Sequence, residues 1–186
     1  MPVSDITKNA DGLMHKAVEH LKHQLSKVRT GRASASLLEN IKVEYYGEPT
    51  PIAQVGGIST PDARSILIQP WDATTVGAIE KAIMAANIGL TPQNDGQTIR
   101  INVPPLTEER RLDIVKQCKK MAEEAKLAVR NVRRDANDEL KVAEKKEHYS
   151  EDDRKRGEDE VQKLTDKHVK DIDQILAAKE KEVMEE

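Results

Sequence analysis

VKQCKKMAEEAKLAVRNVRRDANDELKVA, residues 115–143, is the stretch that decides the fold. Val115, Cys118, Ala122, Ala125, Val129, Val132, Ala136, Leu140 and Ala143 recur at alternating spacings of three and four for most of its length. That period puts them along one side of an α-helix. Charged residues flank the stripe, so the pattern is a coiled-coil-type helix with a narrow apolar seam. Upstream, Thr107-Glu108-Glu109 supplies an N-cap and two acids where the helix dipole favours negative charge. Downstream, the pattern breaks near His148-Tyr149, and Ser150-Glu151-Asp152-Asp153 is a capping box for a further helix. That helix carries Val161, Leu164, Ile172, Ile175, Leu176 and Val183 on one side.

Working back to the start of the chain, Ser4 or Asp5 is expected to cap a first helix. Its apolar positions are Ile6, Ala10, Leu13, Met14, Ala17, Leu21, Leu25 and Val28. It is expected to end near Arg29-Thr30-Gly31, with Gly31 in the left-handed region. At ~1.5 Å per residue the first helix spans roughly 40 Å and the later two roughly 50–60 Å each. None is apolar enough to stand alone, so the three should pack as an antiparallel bundle.

Between them the texture changes. From about Ala33 to Val103, Leu37-Leu38, Ile41, Val43, Tyr45-Tyr46, Ile66-Leu67-Ile68 and Ile99-Arg100-Ile101-Asn102-Val103 suggest short strands. Gly47, Pro49, Pro51, Gly56-Gly57 and Pro61 punctuate them. Asp72 is expected to cap one short helix through Ile79, Ile83 and Met84, closed by Asn87 and Gly89. The fold class is therefore α+β. A three-helix bundle of residues 1–30 and 106–186 would carry an inserted β/α/β domain of residues 31–105. The two crossings, Thr30-Gly31-Arg32 and Val103-Pro104-Pro105, either form a hinge or merely punctuate helices.

Composition narrows function. The chain has 186 residues, a third of them charged, with no Phe, one Trp and a formal net charge of −3. A generally basic nucleic-acid binder is excluded, so any RNA contact must come from local segregation of charge. Arg130, Arg133 and Arg134 provide it: i, i+3, i+4 spacing puts three guanidiniums on one face of the longest helix, where they can grip phosphate oxygens. The same spacing is compatible with a solvated face laced with i, i+4 ion pairs.

No catalytic or nucleotide-binding pattern is present. His15, His20 and His23 share a helix but lack a carboxylate cluster to complete a metal site, and His168 lies near the last helix's seam. Both Gly-x-x-x-x-Gly-Lys and Gly-x-Gly-x-x-Gly are missing. Tyr45, Tyr46 and Trp71 could stack on bases, although adjacent strand tyrosines face opposite ways. Cys118, on the seam, is a buried small hydrophobe rather than a nucleophile, and a single cysteine fits a reducing compartment. With no membrane-length apolar window and no leader pattern, a soluble cytoplasmic protein is expected.

Five segments in register resemble the bacterial ribosome recycling factor family. They are Ser26-Lys27-Val28-Arg29-Thr30-Gly31-Arg32-Ala33-Ser34, Val43-Glu44-Tyr45-Tyr46-Gly47, Pro104-Pro105-Leu106-Thr107-Glu108-Glu109-Arg110-Arg111, Arg130 to Asn137, and Val161-Gln162-Lys163-Leu164-Thr165-Asp166. The resemblance implies an L-shaped, monomeric, non-enzymatic protein with no cofactor, in which a three-helix bundle and a small domain meet at a hinge. It implies binding to the large ribosomal subunit after termination, and splitting of the ribosome together with elongation factor G and GTP. On that basis Arg130, Arg133 and Arg134 would contact rRNA, with Arg29, Arg32 and Arg110 as further contacts near the hinge. The competing class is a coiled-coil scaffold for a protein partner, with an enzyme third.

Overall fold

The structure, a computed structural model, describes residues 2–185. The chain divides into two units, Met1–Val28 with Glu109–Glu186, and Arg29–Glu108. The first unit holds helices α1 (Val3–Ser26), α3 (Glu108–Lys146) and α4 (Glu151–Met184). The second holds strands β1 (Lys42–Tyr45), β2 (Glu48–Pro51), β3 (Gly56–Asp62), β4 (Ser65–Pro70), β5 (Pro92–Asn94) and β6 (Ile99–Asn102), with helix α2 (Val76–Ala85) between β4 and β5.

In the helical unit, contacts set the directions. A Cβ at Gly157 would lie 2.9 Å from Val3 Cγ1, and His168 Nε2 lies 2.8 Å from Asp11 Oδ1, so α1 and α4 run parallel. Lys126 meets Asp173 at 2.6 Å and Arg154 meets Glu144 at 2.5 Å, so α3 is antiparallel to α4. The inserted unit returns the chain between α1 and α3, which is why the first and last helices share a direction while the middle one opposes them.

The seam is made of small residues. Ile114, Cys118, Ala122, Ala125, Val129, Ala136, Leu140 and Ala143 are buried on α3. Val115 and Val132, expected on the stripe, are only half-buried. From Ile114 to Ala125 the spacing is four, four, three, an eleven-residue repeat over three turns that keeps a straight helix in register where a strict heptad would drift. On α1, Val18 takes a core position and Leu13 faces solvent.

Helix ends differ from expectation at α1. Pro2, not Ser4 or Asp5, occupies the N-cap, and its carbonyl accepts the N–H groups of Asp5 and Ile6. A proline there wastes no helical donor, and Asp5 still favours the dipole from inside the first turn. The helix also stops early, at Ser26, whose hydroxyl donates to the His23 carbonyl at 2.6 Å. Gly31 follows with φ +85°, beyond the helix rather than at its cap. Between α3 and α4, His148 takes φ +57° and Ser150 Oγ accepts the Asp153 N–H at 3.1 Å. Arg154 ties that corner to Glu144, Glu151 and Glu158.

In the second unit β1 and β2 form a hairpin closed by Tyr46 (φ +50°) and Gly47 (φ +81°), the paired left-handed geometry of a tight two-residue turn. The other strands make an antiparallel sheet in the order β3-β4-β6-β5. Ile66, Ile68, Ile99 and Ile101 point to its buried face and meet Ile79 and Ile83 of α2. At about 1.5–3 kcal/mol for each fully buried branched side chain, these six contribute much of the unit's stability alongside Leu38, Val43, Ile52 and Val55 of the same core.

Leu37-Leu38, expected as strand, form a 3₁₀ turn, because the Ser34 hydroxyl accepts the Ser36 N–H and starts a helical bend. Ile41 precedes β1 rather than lying in a strand, while β2 and β3 lie where turn residues suggest punctuation and β5 lies where no strand is expected. Gly56 sits within β3 because a Cβ there would come 2.7 Å from the Gln69 carbonyl oxygen of the neighbouring strand. Pro61 is accommodated because β3 is an edge strand whose pairing shifts between Ser59 and Asp62.

Three turns of this unit are built on aspartates. Asp62 accepts from the Arg64 N–H and the Ser65 hydroxyl, Asp72 from the Thr74 hydroxyl and N–H, and Asp95 from the N–H groups of Thr98 and Gln97. Those donors hold each carboxyl below its ordinary value. A folded-state pKa below the unfolded one gives stability that is complete above the ordinary carboxylate range and is lost as pH falls through the folded value. The unit is thus expected to keep full stability through neutral pH and to weaken only in acid. Carboxyl NMR titration should place all three midpoints below those of the same residues in an unfolded peptide. Midpoints at peptide values would refute this account.

Candidate RNA-binding face

Arg130, Arg133 and Arg134 lie on α3 between the buried positions Val129 and Ala136. Arg130 and Arg134 are exposed, whereas Arg133, four residues beyond Val129, leans toward the seam and is half-buried. Its Nη1 donates to Gln162 Oε1 on α4 at 3.1 Å, and its Nε is buried without a partner. Gln162 Nε2 donates in turn to Asp166 Oδ1 at 2.9 Å. Among the described residues, none of the three arginines has a carboxylate within ion-pair distance, and all three charges therefore remain available to an anion.

Two other cations that bridge α3 and α4 behave differently. Lys126 is held by Asp173 and by Glu123, and Arg154 by three glutamates. The hydrogen bond to Asp173 raises the Lys126 pKa, while Glu158 does the same for Arg154. The face at 130–134 is thus unneutralised, unlike Lys126 and Arg154, although Lys120, Lys141, Lys163 and Lys167 of the same two helices also make no ion pair among the described residues.

The other arginines named from the sequence are spread between the two units. Arg29 and Arg32 are exposed and belong to the second unit, and Arg110 is exposed in the first turn of α3. Of the crossing residues, Thr30 and Gly31 are buried and Pro104 and Pro105 exposed. Val103 is part of the second unit's core, and its N–H donates to the Arg64 carbonyl at 2.7 Å. Tyr46 and Trp71 are mostly exposed, while Tyr45 packs toward the core, its ring centroid 4.4 Å from that of Tyr46 with the planes at 73°.

Among the described residues there is no group of three or more His, Cys, Asp and Glu side chains that could hold a metal ion. His168 is buried and donates Nε2–H to Asp11, a bundle contact between α4 and α1. Burial pushes the Cys118 thiol up, so it remains a protonated seam residue. Gln162 and Asp166 had no role assigned from sequence. Their four-residue spacing on one helix face was visible, but the arginine they serve lies on another helix.

A family model described as ribosome recycling factor matches residues 21–184. The chain belongs to the ribosome recycling factor family. It is 55% identical over 185 residues to the ribosome-recycling factor of Nitratidesulfovibrio vulgaris, covering all of both chains. Over 183 residues it is 52% identical to that of Syntrophomonas wolfei, covering 98% of this chain and 99% of the relative. A solution structure of the ribosome recycling factor is similar with a TM-score of 0.73 and 48% identity, covering 98% of this chain and 97% of that one. A second structural relative, at TM-score 0.63 and 44% identity, covers 99% of this chain. Its description is of models of the T. thermophilus ribosome recycling factor and the E. coli elongation factor G bound to the E. coli post-termination complex.

Membership in the ribosome recycling factor family makes ribosome recycling the function and the ribosome the partner. Ribosome recycling factors are not enzymes, and the three-helix bundle with its β/α/β insertion is the family's architecture. No helix among the described residues is long and apolar enough to cross a membrane.

Proposed function

We propose that the chain acts in the cytoplasm as a monomer, anchoring its helical unit on large-subunit rRNA through Arg130, Arg133 and Arg134. With elongation factor G and GTP it then splits the post-termination ribosome into subunits. The observation that carries the anchor is that three guanidiniums at i, i+3, i+4 on one helix make no ion pair among the described residues. Arg29, Arg32 and Arg110 are further rRNA contacts. Involvement of elongation factor G is supported by the structural relative described with that factor on a post-termination complex.

Residues 1–30 with 106–186 and residues 31–105 work as two bodies joined at 30–32 and 103–105. Gly31, with φ +85°, supplies backbone freedom that a side chain would remove, and Pro104-Pro105 stiffens the return crossing. Two covalent crossings permit swinging without separation. The chain has no phosphate-binding loop, so the free energy of splitting comes from the GTPase partner.

Light scattering of post-termination ribosomes tests this directly. Splitting is expected only when the chain, elongation factor G and GTP are all present. The purified chain alone should hydrolyse neither GTP nor ATP. Splitting by the chain without a GTPase, or hydrolysis that persists through repurification, would defeat the proposal.

A further inference from the structure

We propose that Gln162 and Asp166 are positioning residues that aim the Arg133 guanidinium at RNA while leaving its charge unspent. This rests on the rRNA anchor proposed above and adds how the anchor is held.

The chemistry follows from donors and acceptors. Asp166, as a carboxylate, only accepts, so its 2.9 Å contact takes the NH₂ end of the Gln162 amide. The amide is thereby oriented, and its oxygen is left facing α3, where Arg133 Nη1 donates to it at 3.1 Å. A neutral oxygen fixes the guanidinium without cancelling it.

The alternative used elsewhere on the same helix pair makes the contrast plain. Lys126 and Arg154 cross from one helix to the other onto carboxylates, at 2.6 Å and 2.5 Å. A carboxylate at position 162 would take Arg133 in the charge-assisted geometry that a phosphate needs. Here the acid is set one helical turn away, at 166, with an amide between. Arg133 is already half-buried, and its long side chain is confined before RNA arrives, which lowers the ordering cost of binding. Arg130 and Arg134 have no such support.

Both supporting residues are exposed on α4, so their variants should fold; helical circular dichroism and melting check this. Binding to vacant ribosomes is then titrated over a salt series. Gln162→Ala is expected to weaken affinity by about three- to tenfold, the worth of one hydrogen bond, with an unchanged salt slope because the Arg133 charge survives. Gln162→Glu should weaken binding and also lower the salt slope by about one, as Arg133→Ala does.

Asp166→Ala gives a prediction of opposite sign to simple electrostatics. Removing an acid from a surface that meets a polyanion would strengthen binding, whereas freeing the amide to present its NH₂ to Arg133 weakens it. Asp166→Asn, which keeps an acceptor, should restore most of the affinity. In an Arg133→Ala background, Gln162→Ala should change nothing further. An equal loss in that background, or tighter binding by Asp166→Ala, overturns the positioning role while the rRNA anchor stands. If Arg133→Ala itself leaves affinity unchanged, the anchor falls and the positioning role falls with it.

Discussion

Ribosome affinity is expected to drop by about 1–3 kcal/mol when Arg133 becomes alanine, and further when Arg130 and Arg134 are removed with it. The effect should be large because phosphate neutralisation releases counterions, and each arginine lost should lower the salt slope by about one. Stability should barely change. Arg130 and Arg134 are exposed and make no ion pair among the described residues, and Arg133 gives up one hydrogen bond to a neutral amide. Co-sedimentation across a salt series, beside thermal melting of the same variants, separates the two quantities. A triple alanine variant that pellets with ribosomes as the parent does would remove this face from the binding site.

The largest stability effect is expected at Leu140. Its side chain is fully buried, with its two methyl carbons 2.9 and 3.2 Å from where a Cβ at Gly157 would stand. The same point on α4 faces Val3 of α1, so one leucine fills the place where all three helices meet. Leu140→Ala should cost about 2–5 kcal/mol, the transfer term plus a cavity that straight helices cannot collapse. Gly157→Ala should by itself crowd Leu140, offsetting the ~1 kcal/mol that alanine gains over glycine inside a helix. In the double variant the added methyl occupies space the leucine vacated, and the loss should be smaller than for Leu140→Ala alone. Urea unfolding followed by helical circular dichroism supplies the cycle. Simple additivity would mean that the two positions do not share a packing site.

What the sequence revealed tracks the range of the interaction involved. The helical seam was legible because a 3.6-residue period repeats over many turns of α3 and α4, and the Ser150 cap because it is contained within one turn. Strands with alternating isoleucines, β4 and β6, were legible for the same local reason. β3 was not, since Gly56, Gly57 and Pro61 signal a turn unless the neighbour is known; only the close approach of Gln69 explains a glycine at 56. The arginine spacing marked the candidate face, but local sequence could not distinguish paired from unpaired charge. That distinction depends on whether a carboxylate or an amide of α4 lies opposite each cation, a matter of registry between segments separated by a turn. His168 was recognised as a bundle residue, while its partner Asp11 came from the other end of the chain.

The parallel pairing of α1 with α4 also imposes an order on the protein's own birth. The inserted unit is contiguous in sequence and can fold as soon as it has been synthesised. α1 is made before it, yet its main packing partner, α4, is the last of the three helices to be made. Closure of so long a loop is a slow, non-local step. Gln162 arrives on that same late helix, so the Arg133 seat is completed at the end of assembly. A nascent chain still lacking α4 therefore carries Arg133 without the amide that holds it, so the seat proposed for RNA is complete only in the finished bundle.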